Sequence, residues 1–238
     1  MRRMREKRSL IWLALVSSLA YLSTATARQV DSGNAPDPPP RLPVLVPFPE
    51  CGSTVLLPVR VNGRKPRLFI LDSGANSIAL DQGFADSIGL RPTGSGAGTG
   101  AGAGPVPYRR YPRDSVEFAV AGVSFRSDHT ISVDLSNQPG ILGFSVAGVL
   151  GTDFFRLVTV EIDYDARFVR LHDPARFSPP AGAETIPLTF EHEVPHVTAR
   201  LTVPGLPART RRLLVDSGSE DAVDDSLVLE SRGPLHRT

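Results

Sequence analysis

Two aspartates in this chain each follow an apolar run and precede a serine and a glycine. Asp72 follows the run LFIL at 68–71, and Asp216 follows RRLLV at 211–215. A carboxylate at the end of a buried strand is costly unless its oxygens accept hydrogen bonds. The serine can bond within the turn, and the glycine, without a Cβ, lets a ligand or a second backbone come close. One such turn is typical of an ordinary hairpin, but a repeat of the whole unit is far more informative.

Each aspartate is also preceded by a second β-like run. Residues 55–61 and 66–71 flank Asn62-Gly63, a strong hairpin pattern that delivers Asp72 at its far end. Residues 197–203 precede the second copy in the same way. Apart from a short helix predicted over 80–90, the chain up to about residue 175 consists of short strands and turns. This pattern indicates an all-β barrel or sandwich.

A glycine-rich segment, residues 94–104, follows the first aspartate turn. A phosphate-binding loop is disfavoured, because the alternating glycines supply neither a Lys-Ser/Thr ending nor the G-x-G-x-x-G spacing. A flexible linker and a mobile hairpin that covers a cleft both fit the composition, and the position after the aspartate turn favours the hairpin.

The N-terminus has the three parts of a secretory signal peptide. Residues 1–8 carry five basic residues, an uncharged apolar stretch follows, and Ala25-Thr26-Ala27 supplies a small-x-small cleavage site. We therefore expect residues 1–27 to be removed and the protein to be periplasmic or secreted. The alternative is an inner-membrane anchor over residues 9–27, and only then is a membrane a partner.

The linker, the net charge and the single cysteine indicate which functions are disfavoured. Residues 28–50 are predicted to be a proline-rich linker. The net charge of +1 becomes mildly negative without residues 1–27, so nothing indicates a nucleic-acid partner. The single cysteine, Cys51, cannot form an internal disulfide, and no histidine pattern suggests that it is catalytic.

Two patterns suggest metal sites, and both are disfavoured. His192-Glu193-Val194-Pro195-His196 satisfies H-E-x-x-H, but that motif needs a helix, and Pro195 and the following β-like run oppose one. The acidic residues after the second turn favour a solvated acidic face over a cation site. They are Glu220, Asp221, Asp224 and Asp225. We therefore expect neither a metal nor a cofactor.

Taken together, the motifs of residues 52–175 resemble those of the retropepsin-like aspartic proteases, in the same order. The resemblance implies an acid protease barrel with one complete lobe, at 51–178, and an incomplete second lobe at 179–238. It also implies roles for residues. The catalytic turn would be Asp72, Ser73, Gly74 and Ala75, the flap would contain Gly96, Gly98 and Gly100, and the support beneath the catalytic loop would be Val149, Leu150 and Gly151.

The chemistry that the resemblance implies is peptide-bond hydrolysis by water that two aspartates activate. The repeated turn predicts Asp216, with Ser217 and Gly218, as the second half of the dyad. The residues after Asp216 contain no second glycine-rich segment and no apolar-apolar-Gly element. Two alternatives therefore stay open: Asp72 pairs with Asp72 of a second chain in a homodimer, or the chain is an inactive exported β-barrel binding module.

Overall fold

The computed structural model describes residues 10–13, 41–100, 104–203, 205–220 and 223, which form mainly β-strands. The strands are β1 (Leu10–Leu13), β2 (Val44–Pro47), β3 (Leu56–Val61), β4 (Arg67–Leu71), β5 (Ile78–Asp81), β6 (Gly94–Thr99), β7 (Pro105–Arg110), β8 (Phe118–Val120), β9 (Val123–Phe125), β10 (Thr130–Val133), β11 (Val146–Leu150), β12 (Thr159–Asp163), β13 (Phe168–His172), β14 (Thr189–Glu191), β15 (Val194–Leu201) and β16 (Arg209–Leu214). The short helices are α1 (Gln82–Ser87), α2 (Gln138–Leu142) and α3 (Thr152–Phe155), with a 3-10 turn at Arg113–Ser115.

The strands of the described residues form three sheets. The largest has the order β6-β7-β10-β5-β11-β4-β3-β8-β9, a second has β1-β12-β13-β2, and the third has β14-β15-β16. Within the large sheet, β11 runs parallel to β4 and antiparallel to β5. The predicted all-β architecture is therefore confirmed, although the large sheet ends at β6 and β9 and does not close into a hydrogen-bonded barrel.

The hairpin that delivers Asp72 forms as predicted. Strands β3 and β4 pair antiparallel, and Asn62 and Gly63 between them have positive φ angles of 49° and 70°, which is the turn geometry that matches the strand twist. The predicted helix also forms, as α1. Asp81 caps it by accepting a hydrogen bond from the Phe84 N–H at 2.8 Å, and Gly89 follows it with a φ of +76°, as a helix stop requires.

The core lies beneath the large sheet and consists of aliphatic and aromatic side chains. Leu57, Phe69 and Leu71 of the β3–β4 hairpin are fully buried there. Phe125 and Phe154 pack with ring centroids 5.6 Å apart. The hairpin therefore holds Asp72 against a packed interior, because the strand that precedes it is buried.

Two strands lie in segments for which the sequence predicts no fold. β2 falls within the predicted linker, yet Val46 and Phe48 are buried in the core. β2 is an edge strand, where Pro47 removes no ladder hydrogen bond. β1 falls within the predicted signal peptide and pairs antiparallel with β12. The other residues of 1–27 lie outside the described part, so the signal peptide stays a prediction.

No helix in the part of the chain that the structure describes is long and apolar enough to cross a membrane.

Replacement of Phe154 by alanine tests the core. Phe154 is fully buried, so we expect Phe154→Ala to lower the free energy of unfolding by about 3–5 kcal/mol. Leu157→Ala is the control, because Leu157 is 43% exposed and should cost less than about 1 kcal/mol. Urea denaturation of both variants measures the difference, and equal losses would contradict this description of the core.

Candidate active site

The first aspartate loop begins where β4 leaves the large sheet. The Leu71 N–H donates to the Val55 carbonyl at 2.9 Å, and the Asp72 N–H donates to the Leu150 carbonyl at 3.0 Å. Asp72 Oδ1 then accepts hydrogen bonds from the N–H groups of Gly74, at 2.7 Å, and Ala75, at 3.0 Å. The backbone therefore supplies the partners that a largely buried carboxyl group needs.

The second aspartate loop repeats this geometry. The Val215 N–H donates to the Pro195 carbonyl at 2.9 Å, in the place of the bond between Leu71 and Val55. Asp216 Oδ1 accepts from the Gly218 N–H at 2.8 Å. The loops differ in exposure: Asp216 is exposed, and β16 before it belongs to the small three-stranded sheet.

The two serines cross-link the loops reciprocally. The Ser73 N–H donates to Ser217 Oγ at 3.0 Å, and the Ser217 N–H donates to Ser73 Oγ at 3.0 Å. Each hydroxyl then donates across the interface, Ser73 to the Val215 carbonyl at 2.7 Å and Ser217 to the Leu71 carbonyl at 2.9 Å. The loops are therefore related by an approximate two-fold axis, and the serine of each loop supplies hydrogen-bond partners for backbone groups of the other.

The glycine of each loop accommodates the aspartate of the other. A Cβ added to Gly74 would lie 2.7 Å from Asp216 Cγ, and one added to Gly218 would lie 2.6 Å from Asp72 Cγ. Real side chains do not approach so closely, so both positions require glycine. The structure thus brings the two predicted dyad residues together within one chain.

The predicted support lies beneath the first loop. Leu150 pairs with Leu71 in the parallel β11–β4 register and is fully buried. A Cβ at Gly151 would collide with the carbonyl oxygens of Ala75 and Ser77, and the neighbouring Thr152 N–H donates to the Ala75 carbonyl at 2.8 Å. Val149 is half-buried and pairs with Ile70. Glycine at 151 is what lets this segment pack against the first aspartate loop.

The predicted flap is the hairpin of β6 and β7. Gly96, Gly98 and Gly100 lie on its first side, and residues 101–103 lie outside the described part. Tyr108, which the sequence analysis missed, lies across this side: a Cβ at Gly96 would be 2.6 Å from the Tyr108 oxygen. The base of the hairpin is attached by an ion pair of 3.0 Å between Arg109 and Asp86. The role of this hairpin as a cover stays a prediction.

The acidity of Asp72 differs from that of an ordinary carboxyl group. Burial is the main cause that raises its pKa from 3.8 to about 7, and the charge of Asp216 and a hydrogen bond between the two carboxyls also raise it. The N–H groups of Gly74 and Ala75 act in the opposite direction. Asp72 is therefore the side chain on which a shared proton would reside.

The H-E-x-x-H residues do not lie on a helix. His192 and Glu193 form the turn between β14 and β15, with φ angles of 48° and 72°, so the helix that would align the two histidines is absent at this motif. The described residues contain no group of three or more histidine, cysteine or acidic side chains placed to hold a metal. Asp221, Asp224 and Asp225 lie outside the described part.

Comparison with known proteins agrees with this geometry over the first lobe. Residues 57–154 match the family model described as "Aspartyl protease", a span that holds Asp72, the glycine-rich hairpin and Gly151. Over these residues the chain is similar to the aspartyl protease family, as its motifs predict. The match supports aspartic protease activity in general and does not extend to Asp216.

Among solved structures, the chain is similar to a retropepsin-like aspartic protease from Rickettsia conorii. The two share 17% sequence identity with a TM-score of 0.35, and the alignment covers 55% of this chain and 89% of the other. No curated protein matches the chain.

Removal of one serine hydroxyl tests the cross-link between the loops. Ser217→Ala leaves the Leu71 carbonyl and the Ser73 N–H without their partner, so we expect a loss of about 1–3 kcal/mol in the free energy of unfolding. Ser115→Ala is the control, because its exposed hydroxyl bonds only within a local turn. Equal losses in urea denaturation would show that the cross-link contributes no stability.

The pH dependence of stability tests the buried Asp72 carboxyl. Its pKa in the folded chain, about 7, lies above the ordinary value of 3.8, so the folded state binds the proton more tightly than the unfolded state does. This contribution to the free energy of unfolding is complete below about pH 4 and is lost as the pH rises towards 7. Asparagine stays neutral at every pH, so Asp72→Asn should gain stability relative to wild type as the pH rises from about 4 to 7. Urea titrations at several pH values measure this difference, and a constant difference would contradict the raised pKa.

Proposed function

We propose that this chain is an aspartic endopeptidase in which Asp72 and Asp216 of one chain form the catalytic dyad. The observation that carries the proposal is the mutual arrangement of the loops, in which each carboxyl group lies against the glycine of the other loop. Two carboxyl groups this close cannot both ionise at low cost and therefore share one proton. Their titration belongs to the pair.

The environments of the two carboxyls assign them different roles in this mechanism. Asp72 is the more buried and has the raised pKa, so it holds the proton. The exposed Asp216 is then the ionised base. Asp216 takes a proton from a water molecule between the carboxyls as the water oxygen attacks the scissile carbonyl carbon, and Asp72 donates its proton to the carbonyl oxygen. The tetrahedral diol then collapses: its C–N bond breaks, the amine nitrogen takes the proton that Asp216 received from the water, and a diol hydroxyl returns a proton to Asp72 as the carboxylic acid product forms.

The substrate that this mechanism implies is a polypeptide, and none of these steps calls for a cofactor. The hairpin of β6 and β7 is the proposed flap that covers the substrate and excludes water. The predicted signal peptide supports a location outside the cytoplasm, either periplasmic or secreted, and an uncleaved N-terminal segment would make the protein membrane-anchored.

Peptide cleavage by aspartate variants tests the dyad. We expect the wild-type chain to cleave a mixed peptide library between about pH 3 and 7, and Asp72→Asn and Asp216→Asn each to lower kcat by at least about 10³-fold, because either change removes the acid or the base. Asp165→Asn, in an exposed turn, is the control and should cleave normally. Mass spectrometry of the products measures all four proteins.

The other outcomes separate the alternatives. Loss of activity with Asp72→Asn alone would contradict the single-chain dyad and favour a homodimer in which the Asp72 residues of two chains pair. No cleavage by a correctly folded wild-type chain at any pH would contradict the enzyme proposal and favour the inactive binding module.

A further inference from the structure

The turn with the H-E-x-x-H residues connects the second half of the molecule to the first. Arg156 Nη2 lies 3.2 Å from Glu193 Oε1, and the Arg156 guanidinium also lies 3.7 Å from Asp153. His129 Nδ1 lies 3.8 Å from Asp153 and 4.0 Å from Glu193. We call these four residues, His129, Asp153, Arg156 and Glu193, the tether cluster.

On the side of the first lobe, the tether cluster is built on α3, next to the first catalytic loop. The Arg156 N–H bonds to the Thr152 carbonyl at 3.0 Å and ends α3, while the Thr152 N–H bonds to Ala75 of the loop. Phe154 and Phe155 of this helix are buried. Asp153 is only 14% exposed and accepts a hydrogen bond from Ser127. Arg156 therefore projects from a rigid base.

On the other side, the tether cluster joins the hairpin that carries Asp216. Glu193 immediately precedes β15, and the Pro195 carbonyl accepts the Val215 N–H at 2.9 Å, one residue before the second aspartate. Glu193 therefore lies two residues before Pro195, and Pro195 is hydrogen-bonded to Val215, the residue that precedes Asp216. A shift of this turn would move the second loop relative to the first.

The ion pair between Arg156 and Glu193 is too exposed to contribute much to overall stability. Arg156 is 38% exposed and Glu193 is 43% exposed, and pairs so exposed contribute little to the free energy of unfolding. Their position matters more than their strength, because a misplacement of about 1 Å in a catalytic group can lower a rate by about a hundredfold.

We propose that Glu193 and Arg156 are positioning residues, which hold the hairpin of β15 and β16 against the first lobe and so set Asp216 opposite Asp72. This inference rests on the proposed function, because the arrangement that it explains is that of the proposed dyad. It also gives a role to Glu193, the central acid of a motif that lies in a turn and not on a helix.

A comparison of two glutamate-to-glutamine variants tests the tether. Glu193→Gln removes the charge that Arg156 contacts. Glu117→Gln is the matched control, because Glu117 lies 3.0 Å from Arg126 at similar exposures of 46% and 36%, with both partners in the first lobe. We expect Glu193→Gln to lower kcat about five- to tenfold with KM changed less than about twofold, and Glu117→Gln to change neither.

A double-mutant cycle measures the interaction between Arg156 and Glu193 separately from their contacts with other residues. Arg156→Gln should lower kcat about as much as Glu193→Gln, and the double variant should lose little more than either single variant, because both remove the same contact. Arg156→Lys, which keeps the charge, should retain most of the activity. Additive losses would contradict the proposal, since each residue would then act independently.

Amide hydrogen exchange tests the tether without any assay of activity. In Glu193→Gln, exchange at Val215 and Ser217, whose N–H groups bond to Pro195 and Ser73, should accelerate about tenfold. Exchange in β3 and β4 should stay at the wild-type rate. Unchanged exchange at Val215 and Ser217 would overturn the inference even if the chain is an active protease. A chain that cleaves nothing but shows this local acceleration would overturn the proposed function and leave the tether supported.

Discussion

The structure depends on a contact between two carboxyl groups that ordinary packing would keep apart. Two carboxylates side by side repel each other, and a buried one loses hydration that only hydrogen bonds can replace. Here the backbone N–H groups of each loop supply those bonds, and the reciprocal serines lock the loops together. In the proposed dyad, a shared proton removes the repulsion. The remainder of the fold positions these two loops against each other.

The two loops share several hydrogen bonds but have unequal support. The first emerges from the middle of a nine-stranded sheet, with β3 and β11 on either side of its strand and Gly151 packed beneath it. The second emerges from a three-stranded sheet, and its aspartate is exposed. This inequality distinguishes the two carboxyls, because burial disfavours the charged form of Asp72, whereas Asp216 is exposed. An acid and a base can thus arise from one repeated motif.

In our proposal, the tether cluster holds the three-stranded sheet, which carries Asp216, against the lobe that contains the nine-stranded sheet. The second sheet has less packed structure of its own, so contacts to the first lobe decide where its loop lies. Arg156 and Glu193 provide such a contact directly between the elements that carry the two loops. Its sequence pattern resembles a zinc motif, which illustrates that residue spacing has chemical meaning only in a given secondary structure.

Local residue patterns alone determined much of the first lobe. The Asn-Gly hairpin, the short helix and the repeated Asp-Ser-Gly turns were predictable, because each depends on neighbouring residues and steric rules. The glycine beneath the loop was implied by the resemblance to the retropepsin-like proteases. The all-β class followed from the same short periodicities. The exclusion of a helical zinc motif needed only Pro195 and the run of β-like residues after it.

Only the tertiary structure decided which distant residues meet. β2 was predicted as linker because its prolines dominate the local composition, yet a place at the edge of a sheet accommodates them. Tyr108 over Gly96, Glu193 beside Arg156 and the serine cross-link join residues far apart in the chain, and nothing in either local segment specifies its partner. The sequence determined that two such aspartate turns exist. Their contact within one chain, and the burial that raises the pKa of Asp72, came from long-range packing, because burial is a property of the whole fold.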